Sequence, residues 1–298
     1  MRRVGVIGLG GMGSALAESL LATDHSVICY DIRPDALRPV VELGAESASD
    51  ARELAGACDL VLTVLPGPAQ VLEVALGSEQ GVLAGLAEGA AVLDMSTCDP
   101  QVAAIIGQAY DATGRRFVDC PVSRKAPNMT VLVGGPPGVL GPDADVLAAV
   151  SRTLVYCGRR GAGYATKLLN QHVKYSSYLA SAEALLIAEA IGLKAGDVAD
   201  AIAECSGGDD SGLRTAAAYF RHDRDDVRSH APASTIEKDS ALAEKMATTA
   251  GIRSRTLAVV VDYFRTVGAT PFRKRPYPES VALLQQIRSM PPMAGPTS

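Results

Sequence analysis

A chain of 298 residues, 48% hydrophobic and 20% charged, has ample material for a packed interior. Its formal net charge of -5 leaves no basic footprint for nucleic acid, and no run of about 18 uninterrupted apolar residues offers a membrane span. Aromatics make up 4% and tryptophan is absent, which favours α/β or helical packing over a sandwich of aromatic cross-strand pairs.

Taken in chain order, the first half alternates short β-branched runs with helical segments. RRVGVIG (2–8), HSVICYD (25–31), DLVLTVLP (59–66), AAVLDMST (90–97) and RRFVDCP (115–121) read as strands, with TVLVGG (130–135) and LVYCG (154–158) adding more. Runs such as Leu60 to Leu65 are apolar on both faces, as a parallel strand covered by helices on either side requires. The two arginines before the first apolar run resemble a secretory leader. Glycines and Glu18 interrupt that run, so a leader is not expected.

After Gly163 the pattern changes. A near-continuous helix is expected from Tyr164 to Leu193, with Gly192 as its stop signal, and Leu168, Leu169 and Val173 are expected to face inward. Further amphipathic helices follow at 196–205, 235–251, 254–268 and 278–290. The charged run RHDRDD (221–226) reads as a solvated loop or helix end, and the tail PPMAGPTS (291–298) as a frayed terminus. The division predicts a doubly wound, mainly parallel α/β domain over 1–162 and an all-helical domain over 163–298. A long apolar helix such as YLASAEALLIAEAIGL suggests a homodimer or higher homo-oligomer.

The cysteines, Cys29, Cys58, Cys98, Cys120, Cys157 and Cys205, form no CxxC, and the four histidines form no HxxxH, so no metal site is expected. They read as reduced thiols of a cytoplasmic protein.

Gly8-x-Gly10-x-x-Gly13 lies between a predicted strand and a predicted helix, the context a dinucleotide fingerprint needs. Gly8 permits the turn, Gly10 lets backbone amides approach phosphate, and Gly13 lets helix and strand pack closely. Leu9, Gly11 and Met12 complete the turn, whose helix start favours an anion. The second strand ends at Asp31, 18 residues after Gly13, with Ile32 and Arg33 following. A carboxylate there accepts both ribose hydroxyls and repels a 2′-phosphate, which favours NAD. Arg33 keeps NADP open.

Lys167 is a charge on an otherwise apolar helix, costly to bury unless paired or deprotonated. With Asn170, Gln171 and Lys174 it makes one polar stripe at i, i+3, i+4 and i+7. The residues alone leave two readings open: a snorkelling lysine at a domain junction, or a catalytic group.

GLGGMG, DCPVS, GAGYATKLLNQ and IEKDSALA occur in the order and approximate spacing of the β-hydroxyacid dehydrogenase family, which the chain resembles over about residues 2 to 288. That resemblance implies a Rossmann domain followed by a helical domain, and reversible NAD(P)-dependent oxidation of a small hydroxy acid. By resemblance, Lys167 corresponds to the acid/base residue, Gln171 to the substrate-orienting amide and Asn170 to its neighbour. Ser123 resembles the serine that receives the substrate. Leu65, Pro66, Ser96, Thr97 and Lys238 resemble coenzyme-contacting positions. Such chemistry asks desolvation and nearby charge to bring an amine pKa toward neutrality.

The chain departs from the family where two glycines usually follow that serine; here Arg124 and Lys125 stand. Either Arg124 grips an anionic substrate group, with Lys125 beside it, or both side chains turn to solvent. Two rivals stand beside the dehydrogenase reading. One is an imine reductase, although those enzymes generally lack the lysine; the other is a non-catalytic NAD-binding protein.

Overall fold

The computed structural model describes residues 2–77, 79–205, 211–251 and 253–288. The chain divides into two compact units, one up to Leu168 and one from Leu169 onward.

In the first unit, β1 (Arg3–Ile7), β2 (Ser26–Tyr30), β3 (Glu46–Ser47), β4 (Leu60–Thr63), β5 (Ala91–Asp94) and β6 (Arg116–Asp119) form one parallel sheet. Its order is β3-β2-β1-β4-β5-β6. Alternate residues feed two cores. Val4, Val6, Leu60, Leu62 and Leu93 pack on one face, and Ile7, Val61, Val92 and Phe117 on the other. This two-sided burial is why the strands read as continuous apolar runs. The sequence order reverses between β1 and β4, which leaves a crevice at the carboxyl ends of the strands, where such sheets take ligands.

A smaller sheet follows, formed by β7 (Val122–Ser123), β8 (Met129–Val133) and β9 (Ser151–Tyr156) in that order. β7 pairs antiparallel with β8, and β8 pairs parallel with β9. At the opposite end of the main sheet, buried Asp143 pairs with both Arg2 and Arg116.

The helix Ala162–Ala190 carries the division between the units. Beyond it lie helices Ala195–Ala203, Ser211–Phe220, Arg224–Arg228, Ala233–Thr249, Arg255–Gly268 and Val281–Arg288. Gly192, at φ +86, ends the long helix, and the Leu193 amide turns back to the Ala188 carbonyl at 3.0 Å. The core of the second unit includes Tyr178, Tyr277 and Phe264, with the two tyrosine rings edge-on at 4.8 Å.

One expectation needs correction. Leu168 is buried, but Leu169 and Val173 are 55% and 68% exposed. They stand one turn apart on a helix face that the described residues leave open. The charged run at 221–226 holds the short helix Arg224–Arg228, started by the Asp223 side chain. The tail from 291 lies outside the described residues.

Candidate functional site

The turn after β1 is shaped by its glycines. Gly8 sits at φ +93, and a side chain there would overlap the Val64 carbonyl. A Cβ on Gly13 would overlap the Gly8 carbonyl, so the helix Gly11–Leu21 can approach its strand only because that atom is missing. Gly10 differs, because nothing stands within 4 Å of where its Cβ would be. That open side is the cradle a ligand can enter, and the helix beginning there has no side-chain cap and no acidic residue in its first turn. These features fit a dinucleotide.

Asp31, just past β2, accepts the Leu9 amide at 2.7 Å and the Arg33 amide at 2.9 Å. The Arg33 guanidinium reaches the same carboxylate at 3.1 Å. Burial works against the charge of Asp31, but the Arg33 side chain and the two amides outweigh it and hold the carboxyl below its usual range. Ile32 is 84% exposed beside it, an apolar surface available to a flat ring.

The ends of β4 and β5 are held by one buried carboxylate. Asp94 accepts the hydroxyls of Thr63 at 2.7 Å, Ser96 at 2.6 Å and Tyr164 at 2.6 Å. Burial pushes its carboxyl up, while the hydroxyls of Ser96, Tyr164 and Thr63 pull it back. Ser96 Oγ also receives the Leu65 amide at 2.8 Å, so this hydroxyl fixes the Leu65–Pro66 loop from behind. Thr97 follows in the same turn, half-buried.

Asp119, at the end of β6, accepts the amides of Gly161 at 2.8 Å and Tyr164 at 3.0 Å. It thereby caps the start of the helix Ala162–Ala190, against that helix's positive end. One turn later, Lys167 is 8% exposed and its Nζ donates to the Val122 carbonyl at 2.7 Å. The lysine therefore reaches the strand that carries Ser123. Arg124, next in the chain, has φ +67, the left-handed region that glycine occupies without cost. Lys125 lies exposed, with its Nζ 3.9 Å from where a Cβ on Gly11 would stand.

In the second unit Gln171 is 8% exposed. Its Nε2 donates to Tyr175 Oη at 2.7 Å and to Asp239 Oδ2 at 2.9 Å. A carboxylate only accepts here, so the amide nitrogen must face Asp239, which leaves Oε1 as an acceptor. Exposed Asn170 donates to that oxygen at 3.3 Å. Lys238 pairs with the other oxygen of Asp239 at 3.0 Å. Among the described residues no group of three or more His, Cys, Asp or Glu is placed to hold a metal ion.

The structure thus brings Lys167, Ser123, the glycine turn, Asp31, Leu65 and Ser96 onto one unit, and Asn170, Gln171 and Lys238 onto the other. Sequence reasoning did not single out Asp94, Asp119, Tyr164 and Asp239. The signal available was an aspartate ending an apolar strand in LDMST and VDCPV, where a charge has no reason to stand unless something caps or binds it.

The sheet order, the glycine turn and the acidic residue after β2 define a dinucleotide-binding protein of the Rossmann class. Residues 3–158 match the NAD binding domain of 6-phosphogluconate dehydrogenase. Residues 161–276 match the family described as NAD-binding of NADP-dependent 3-hydroxyisobutyrate dehydrogenase. The chain belongs to the β-hydroxyacid dehydrogenase family. It is 33% identical over 187 residues to mouse mitochondrial 3-hydroxyisobutyrate dehydrogenase, covering 61% of this chain and 56% of that protein. The chain therefore matches little more than half the length of that relative. To the 3-hydroxyisobutyrate dehydrogenase of Pseudomonas aeruginosa it is 30% identical over 213 residues, 70% of this chain and 71% of that protein. The structure of Mycobacterium tuberculosis 3-hydroxyisobutyrate dehydrogenase with L-serine superposes with a TM-score of 0.85 at 24% identity, covering 96% and 99% of the two chains.

Proposed function

We propose that this protein is an NAD-dependent oxidoreductase that interconverts a small β-hydroxy acid and its semialdehyde, with Lys167 as the general acid/base. The observation that carries the reading is the placement of Lys167. Its ammonium is buried, tethered to the Val122 carbonyl, and set on a helix whose first turn is locked by Asp119. A lysine used only for solubility would extend into water. When bound, the nicotinamide supplies the hydride chemistry. In the reducing direction Lys167 gives a proton to the carbonyl oxygen as it becomes an alcohol. In oxidation the neutral amine takes that proton back. Val122 restrains the amine and Ser123 receives the acid group; in the second unit Gln171 is the proposed substrate-orienting amide.

Asp31 supports NAD over NADP. Its carboxylate already neutralises Arg33, so that guanidinium is engaged rather than waiting for a 2′-phosphate. Glycine-turn residues Gly8 to Gly13, Ile32, Leu65, Pro66, Thr97 and Lys238 are the proposed remaining coenzyme contacts. The exposed Leu169 and Val173 support a homo-oligomer, and six cysteines with no disulfide support a reducing, cytoplasmic setting.

The test is turnover of a panel of small β-hydroxy acids with NAD, for the wild type and for Lys167→Ala. The variant should lose at least about 100-fold in kcat/KM while its NADH affinity stays within about threefold. Undiminished turnover in Lys167→Ala rejects the lysine as the proton carrier. Coenzyme binding without turnover of any acid in the wild type favours a non-catalytic NAD-binding protein.

A further inference from the structure

We infer that Lys125 is a ligand of the coenzyme's pyrophosphate, a positive group that the loop after Ser123 brings to the glycine turn. The inference rests on the NAD reading above and names one more residue of that site.

A left-handed residue redirects the chain, and at Arg124 this occurs without the glycine that would make it easy. The next side chain, Lys125, reaches the turn after β1. Its Nζ lies 3.9 Å from the position a Gly11 Cβ would occupy, at the first residue of the helix Gly11–Leu21. That is ordinary contact distance, so the ammonium stands directly beside the helix start.

Charge completes the case. Lys125 makes no ion pair or hydrogen bond among the described residues. The helix it approaches has neither an acidic residue in its first turn nor a side-chain cap. Two positive ends therefore share one corner, while the Asp31 carboxylate at the Leu9 amide is already paired with Arg33. The partial positive charge of a helix start is about half an elementary charge, and the ammonium adds a whole one. A doubly negative pyrophosphate arriving over the open side of Gly10 satisfies both. Arg124 is also exposed, but the geometry brings the ammonium of Lys125, not the guanidinium, to the turn.

The experiment titrates the full-length protein with NADH, followed by nicotinamide fluorescence, and with ADP-ribose by calorimetry, at low and high salt. Wild type, Lys125→Ala and Lys125→Arg are compared, with thermal unfolding as a check on folding. The expected result is about tenfold weaker binding of both ligands to Lys125→Ala, a smaller loss at high salt, and near-wild-type binding for Lys125→Arg. Unchanged NADH and ADP-ribose affinity in Lys125→Ala, with a raised KM for the hydroxy acid, overturns the proposal in favour of a contact to the substrate's acid group. A wild-type protein that binds neither ligand sinks the coenzyme reading itself, an outcome that no comparison of variants would imitate.

Discussion

The hydroxyl of Tyr164 donates to the carboxylate of Asp94 at 2.6 Å, and through that bond the helix bearing Lys167 is tied to the strand end that holds the Leu65 loop. One buried group thus anchors both the helix that bears Lys167 and the Leu65 loop. Asp94→Asn places an amide among hydroxyls that all donate, leaving at least one hydrogen without an acceptor. The expected cost is about 1–3 kcal/mol of stability, with several-fold weaker NADH binding. Tyr164→Phe should cost about 1 kcal/mol. Thermal unfolding and NADH titration measure both, and an Asp94→Asn protein identical to wild type in each would refute the shared anchor.

The glycine turn makes a second, paired prediction. Gly13→Ala collides with the Gly8 carbonyl, so the helix must move off its strand and the melting temperature should fall sharply. Gly10→Ala meets nothing within the protein. It should fold with an unchanged melting temperature and still bind NADH at least about tenfold more weakly, because the added methyl fills the open side of the turn proposed for the coenzyme's phosphates. Equal behaviour of the two variants would contradict the division between a packing glycine and a ligand glycine.

The thiols give a pH-dependent test. Burial pushes the Cys29 thiol up to about 12, and does the same for Cys58. Cys120 is raised well above its usual value, also by burial. At pH 8 a thiol with that pKa holds on the order of one thiolate in 10,000, and each further pH unit raises the fraction about tenfold. Exposed Cys205 and half-buried Cys157 should react with a disulfide reagent within minutes at pH 8. Cys29, Cys58, Cys98 and Cys120 should react only after denaturant is added. Fast modification of four or more thiols in the native protein would rule out the burial described here.

How much of this was legible beforehand depends on what each residue's signal consists of. The parallel strands were readable because two-sided burial writes an unbroken apolar run, as in Leu60 to Thr63. The glycine fingerprint was readable because its role is carried by backbone, and backbone demands leave a spacing. Lys167 was visible as a charge on an apolar helix, although its tether, the Val122 carbonyl, lies 45 residues away in sequence and leaves no mark there.

The two-residue strands β3 and β7 escaped detection because a periodicity of two cannot be seen in two residues. Ser211–Phe220 gave little helical signal, with Gly212 packed tightly against Ser177 and Tyr178 in place of a side chain. Leu169 and Val173 were misplaced because an apolar residue on a helix looks the same whether its cover is its own chain or is absent. Asp239 stood inside a recognisable motif, but its hold on Gln171 spans 68 positions and is a fact of tertiary structure alone.

The cap that Asp119 places on the long helix has a bearing on how a guest would be received. A helix start at the carboxyl edge of such a sheet is a natural berth for any passing anion. By seating one of its own carboxylates there, the protein withdraws that berth from competition, whereas the start at Gly11 is left vacant of acid. A dinucleotide thus meets a surface with its polarity already decided, and does not have to choose between two docking ends.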